Sequence, residues 1–168
     1  MSEVRIIRSP RRRRTAAARD VGDAIEVRVP AGLPAAEEAR IVARLVRRMT
    51  DRRAGAEIDL TARAATLASR YRIPTPSTIK WVDNQTSRWG SCSPATGTIR
   101  LSRALSTFPG WVLDYVIIHE LAHLVVNGHG PAFWEIVNRY ALTERARGFL
   151  IAKGLEQDAS TALVASAD

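Results

Sequence analysis

His119-Glu120-Leu121-Ala122-His123-Leu124-Val125-Val126-Asn127-Gly128-His129 holds every histidine of the 168-residue chain. Two are four apart with a glutamate following the first, the HExxH arrangement. On a helix, four residues advance the side-chain direction by about 400°, one full turn and a little more. His119 and His123 therefore face the same way, at a separation that lets two imidazoles grip one metal ion. Glu120 lies on the adjacent stripe, within reach of a metal-bound water without being a ligand. Asn127-Gly128 then reads as a helix stop, since both residues tolerate the left-handed conformation that swings His129 back. The stretch reads as a catalytic zinc site.

A bare HExxH also arises by chance, and a lone histidine on an apolar helix is more often a hydrogen-bonded core residue. The surroundings argue against that here. Val112, Leu113, Val116, Ile117, Ile118, Leu121, Ala122, Leu124, Val125 and Val126 make the helix apolar on nearly every side, so it is expected to be buried. Burying two imidazoles and a carboxylate without partners costs about 2–3 kcal/mol per unsatisfied group. A metal supplies the partner, and no histidine is used elsewhere.

The rest of the chain sets bounds. Its length suits one domain with a sizeable core. The single cysteine, Cys92, rules out an internal disulfide and fits a reducing compartment. No signal peptide and no apolar run of about 20 residues is visible, so a soluble, cytoplasmic protein with no membrane partner is expected. The formal charge of +8 is nearly all arginine and is concentrated at Arg5, Arg8 and Arg11 to Arg14. No aromatic is interleaved there to stack bases, so a solvated arm is favoured over a nucleic-acid interface.

Residues 1–10 read as a flexible basic arm, 11–156 as the folded domain and 157–168 as a flexible tail. Ile25, Val27 and Val29 alternate with Glu26 and Arg28, a half-buried strand closing a hairpin around Asp20 to Asp23. Helical patterns follow over residues 35–53 and 58–71. Thr78 to Val82 and Thr98 to Leu101 read as strands of a second, antiparallel unit. Pro109-Gly110 opens the motif helix with Thr107 as its cap, and Gly130-Pro131 starts another. A last helical segment spans 144–153. Strands and helices come in blocks, which predicts an α+β fold.

With three nitrogen ligands, zinc keeps one position open for a water whose pKa falls toward neutrality, and Glu120 accepts that water's proton. His129 follows His123 by six residues, as in the metzincins, but Val126 stands where those carry glycine, and no methionine lies downstream. Glu135 and Glu144 are formal candidates for a thermolysin-type third ligand, with His129 nearer and better placed.

Arg88-Trp89-Gly90-Ser91-Cys92, Tyr115-Val116-Ile117-Ile118-His119-Glu120-Leu121-Ala122-His123 and His129-Gly130-Pro131-Ala132-Phe133-Trp134 together resemble the YgjP-like metallopeptidase family, in order and in spacing. The resemblance runs from near Arg11 to about Leu155. It implies a compact minimal zincin, related to the WLM and SprT-like groups, with an N-terminal β-hairpin, a small antiparallel sheet and a buried HExxH helix. By resemblance, His119, His123 and His129 hold Zn2+ and Glu120 is the general base. Family members are described as metal-dependent hydrolases or peptidases, and some as UTP pyrophosphatases. One departure is the strand after Cys92, where Ser102 stands in the region of the family's usual asparagine.

Arg88 offers a fork to a substrate carboxylate or phosphate. Trp89 is expected to plug the core and Gly90 to permit a tight turn. Cys92 is expected to be a small buried residue, and Phe133 and Trp134 to be core. Tyr115 and Tyr140 are candidates for steadying a developing oxyanion, Tyr140 as a substrate-binding residue. The reading favoured is a zinc metallopeptidase acting on peptide or protein. A nucleoside triphosphate pyrophosphatase is kept open by Arg88, Arg100 and Arg103, and a SprT-like DNA-associated protease by the arginine arm.

Overall fold

The computed structural model describes residues 3–85 and 87–165, with side chains through Gly154. The chain divides into two compact units, Met1–Glu57 and Ile58–Asp168, where one folded domain was expected from residue 11 onward.

The first unit is a three-stranded sheet with one helix. β1 (Val4–Ser9), β2 (Ala17–Val21) and β3 (Ala24–Pro30) lie in the order β1-β3-β2. β2 and β3 form the expected hairpin, turning at Gly22, whose φ of 60° a residue with a side chain adopts only at a cost. β1 corrects the reading of residues 1–10 as a loose arm: Val4 to Ser9 pair in parallel with Ile25 to Pro30. The backbone of β3 has two edges, and the hairpin satisfies only one of them. α1 (Ala35–Ala56) runs longer than its apolar stripe suggested. Val42, Leu45, Val46 and Met49 from α1 pack with Ile25, Val27 and Val29 in this unit's own core.

The second unit carries the histidines. α2 (Leu60–Tyr71) starts at Asp59, whose carboxylate accepts from the Ala62 N–H at 2.9 Å, and ends at Arg72 in the left-handed region. β4 (Thr78–Val82), β5 (Gly90–Ser93) and β6 (Thr98–Ser102) form a mixed sheet in the order β4-β6-β5. β4 runs parallel to β6, so the antiparallel pair expected between residues 78–82 and 98–101 is not made. The antiparallel partner is β5, which the short turn at Gly97 folds directly onto β6.

α3 (Gly110–Ala122) is the motif helix. Thr107 does not cap it; Pro109 precedes its first residue, and the Thr107 hydroxyl donates to the Ala104 carbonyl. Leu113, Ile117, Ile118 and Leu121 are fully buried, as expected of a helix apolar on all sides, and pack with Ile99, Leu101, Leu105 and Phe133. α4 (Pro131–Val137) and α5 (Thr143–Ala165) follow. The tail expected from Gln157 falls partly on residues 166–168, outside the described residues; the α5 backbone continues to Ala165. Among the described residues, no helix is long and apolar enough to cross a membrane.

Candidate metal centre

α3 ends one residue before His123, earlier than the Asn127-Gly128 stop suggested. The chain then tightens. Leu124 donates to Leu121, and Val125 and Val126 both donate to Ala122. Gly128 takes a left-handed φ of 76°, as the sequence anticipated, and the chain turns back so that His129 faces the helix.

Among the described residues, one group of His, Cys, Asp and Glu side chains is arranged to hold a metal ion: His119, His123 and His129, with ligand atoms all within 4.8 Å of one another. The Nε2 of His129 lies 3.1 Å from that of His119 and 3.2 Å from that of His123. Tetrahedral zinc bonds at 2.0–2.1 Å place two nitrogens about 3.3 Å apart, so these spacings fit.

The outer nitrogens face hydrogen-bond partners. His123 Nδ1 lies 3.2 Å from the Val126 carbonyl, to which it donates. His119 Nδ1 lies 3.4 Å from the Tyr115 hydroxyl. With the proton on each Nδ1, both Nε2 atoms turn lone pairs toward His129, the form in which an imidazole binds a cation. Burial, then His123, His129 and Arg147 in that order, lowers the His119 pKa to about 3, so its imidazole is kept neutral, as a ligand must be. Burial also lowers that of His123, against the Val126 hydrogen bond.

Phe133 forms the floor. Its ring centroid lies 4.8, 4.6 and 4.7 Å from those of His119, His123 and His129. Trp134, half-buried beside it, carries the Arg147 guanidinium over its face at 4.7 Å. The core reading of Phe133 holds, but it omitted this contact with all three imidazoles. The Tyr115 contact with His119 was legible, since residues four apart on a helix are neighbours.

Glu120 is 5% exposed, and burial raises its carboxyl to about 7, with the charge of Arg88 pulling the other way. Arg88 itself is exposed. Burial, then the Glu120 charge, pushes the Cys92 thiol up to about 11, so it stays protonated and unreactive. Trp89 packs on the core with its ring 5.3 Å from Phe108, as expected. Two readings need correction. Gly90 makes no left-handed turn; it opens β5. Tyr140 is buried with its hydroxyl donating to the Trp111 carbonyl at 2.9 Å and its ring edge-on to Tyr71, which commits it to the fold. Ser102, buried, donates to the Gln85 carbonyl at 3.4 Å.

A helix-borne HExxH, a histidine returned by a tight turn and a small mixed sheet in an α+β unit are consistent with a minimal zincin fold. The chain belongs to the YgjP-like, metallopeptidase domain family, whose model matches residues 24–145. A solved structure with the same fold is the metallopeptidase zymogen of Methanocaldococcus jannaschii jannalysin, 22% identical, with a TM-score of 0.50 over 58% of this chain and 98% of that one. A comparison with curated proteins gave no match. The chain is therefore a metal-dependent hydrolase with a histidine triad.

Proposed function

We propose that this protein is a zinc-dependent peptidase in which His119, His123 and His129 hold the metal and Glu120 is the general base. The observation that carries the reading is the convergence of three Nε2 atoms at a helix that also carries the buried Glu120, the residue after His119. Three neutral imidazoles favour a borderline-soft ion such as zinc over calcium or magnesium, which prefer oxygen donors. When bound, zinc would lower the pKa of a water and polarise the scissile carbonyl.

The rest is the work of the chain. The Val126 carbonyl holds His123 in the tautomer that offers Nε2 inward, and the Tyr115 hydroxyl orients the His119 ring. Phe133 closes one side of the triad to water. Glu120 takes the water's proton and returns it to the leaving amine. Burial keeps its affinity for that proton high, and a dication held by the three histidines would moderate it. Arg88, exposed and acting on Glu120 by its charge, would steer a carboxylate or carbonyl of the substrate.

The test offers the metal-loaded protein labelled casein, nucleoside triphosphates and DNA side by side, with elemental analysis of protein purified without added metal. The expected result is about one zinc per chain and casein cleavage that a chelator abolishes and zinc restores. Turnover of UTP without cleavage of casein would move the same residues to phosphoanhydride chemistry and overturn the peptidase reading.

A further inference from the structure

Nothing in the backbone of Gly90 asks for glycine. It is absent from the left-handed glycines, which are Gly22, Gly97 and Gly128. Glycine in a strand weakens it and often marks a place where another group comes close. Here that group is Glu120. A Cβ on Gly90 would lie 2.5 Å from Glu120 Oε1 and 2.9 Å from its Cδ and Cγ, deep inside van der Waals contact.

Neither backbone can back away. β5 is tied to β6 by the pairing of Gly90 with Leu101, and the Trp89 carbonyl accepts from the Ser102 N–H at 2.8 Å. α3 carries Glu120 on a turn where Ile117, Ile118 and Leu121 have no exposure at all. The part free to yield is the carboxylate end of Glu120.

We propose that Gly90 is a positioning residue: the volume of its missing side chain is the seat of the Glu120 carboxylate. The inference rests on the reading of Glu120 as general base. Gly90→Ala keeps the fold, because the displaced atoms end a flexible side chain. It swings the carboxylate by about 1 Å, a misplacement that costs on the order of 100-fold in rate.

Two measurements on the full chain test this. In the zinc-loaded protein, Gly90→Ala is expected to lower kcat for labelled casein about 100-fold, with KM and zinc content unchanged. In the metal-free protein, Gly90→Ala is expected to lower the melting temperature by about 3 °C, and to leave it unchanged in a Glu120→Ala background, where the space is vacant. A glycine needed only for its backbone would give the same loss in both backgrounds. That result, or full activity of Gly90→Ala, overturns the inference. Normal turnover by Glu120→Gln would sink the general-base reading alone, and the melting cycle then still decides whether Gly90 seats the carboxylate.

Discussion

His119 and Glu120 stand on a helix that the core grips from every side, whereas His129 hangs on an exposed turn six residues past His123. The helical half is fixed by packing: moving it means opening a cavity among Ile117, Ile118 and Leu121. The turn half is fixed by one left-handed glycine and by the Phe133 ring beneath it. The proposed metal site thus joins a rigidly held candidate base to an adjustable candidate ligand. Substitutions in the two halves should fail in different ways.

The largest effect is expected in the helical half. Glu120→Gln retains fold and zinc but lowers hydrolysis of any true substrate by at least about 100-fold, or about 2.7 kcal/mol of transition-state stabilisation. Steady-state kinetics on the zinc-loaded variant measure this, and near-normal turnover would mean that another group activates the water. In the turn half, His129→Ala should weaken zinc binding by more than the roughly 10- to 100-fold lost with a ligand's hydrogen-bond partner. Melting of the metal-free protein should stay put, because the removed ring is exposed. His119→Ala should lower both, and undiminished zinc affinity in His129→Ala would remove it from the ligand set.

The burial of Glu120 also predicts a pH signature. Its folded-state pKa is raised to about 7 from 4.5, so the folded metal-free protein binds the extra proton between those values. Stability from this group is fully present below 4.5, declines as pH rises through 7 and is flat above. The melting advantage of metal-free Glu120→Gln over wild type should therefore grow from pH 4.5 to 7, reaching on the order of 3 kcal/mol. A difference that does not vary with pH would show that the carboxylate is hydrated. The smallest effect is expected at Gly128. No atom lies within 4 Å of where its Cβ would be, so the cost of Gly128→Val is conformational, about 1–2 kcal/mol. Thermal melts and zinc titration should show stability and affinity falling together; an unchanged variant would mean that the turn is made differently.

Sequence legibility follows the same divide. The motif helix and its burial were readable because an unbroken apolar pattern leaves few alternatives, and Gly128 was readable because a left-handed stop has a residue signature. β5 was not: Gly90-Ser91-Cys92-Ser93 is four residues long with no strong strand former, and pairing with β6 makes it a strand. β1 was hidden by its arginines, which sit at exposed positions of an edge strand. Tyr140 was misplaced because a hydroxyl's partner, here the Trp111 carbonyl 29 residues away, leaves no local trace. The small residue at 90 was visible, but its reason was across the fold, on α3.

The floor under the triad has a consequence for assembly of the centre during folding. His119, His123, His129 and Phe133 span a continuous stretch of chain, and the contact between His119 and His129 closes over only ten residues. Closing so short a loop costs little entropy and proceeds on the order of 10–100 ns. The seat of Glu120 is non-local, since it exists only after β5 has paired with β6. If the proposed roles hold, metal capture is expected to precede catalytic competence: the three histidines can meet while Glu120 still lacks its place.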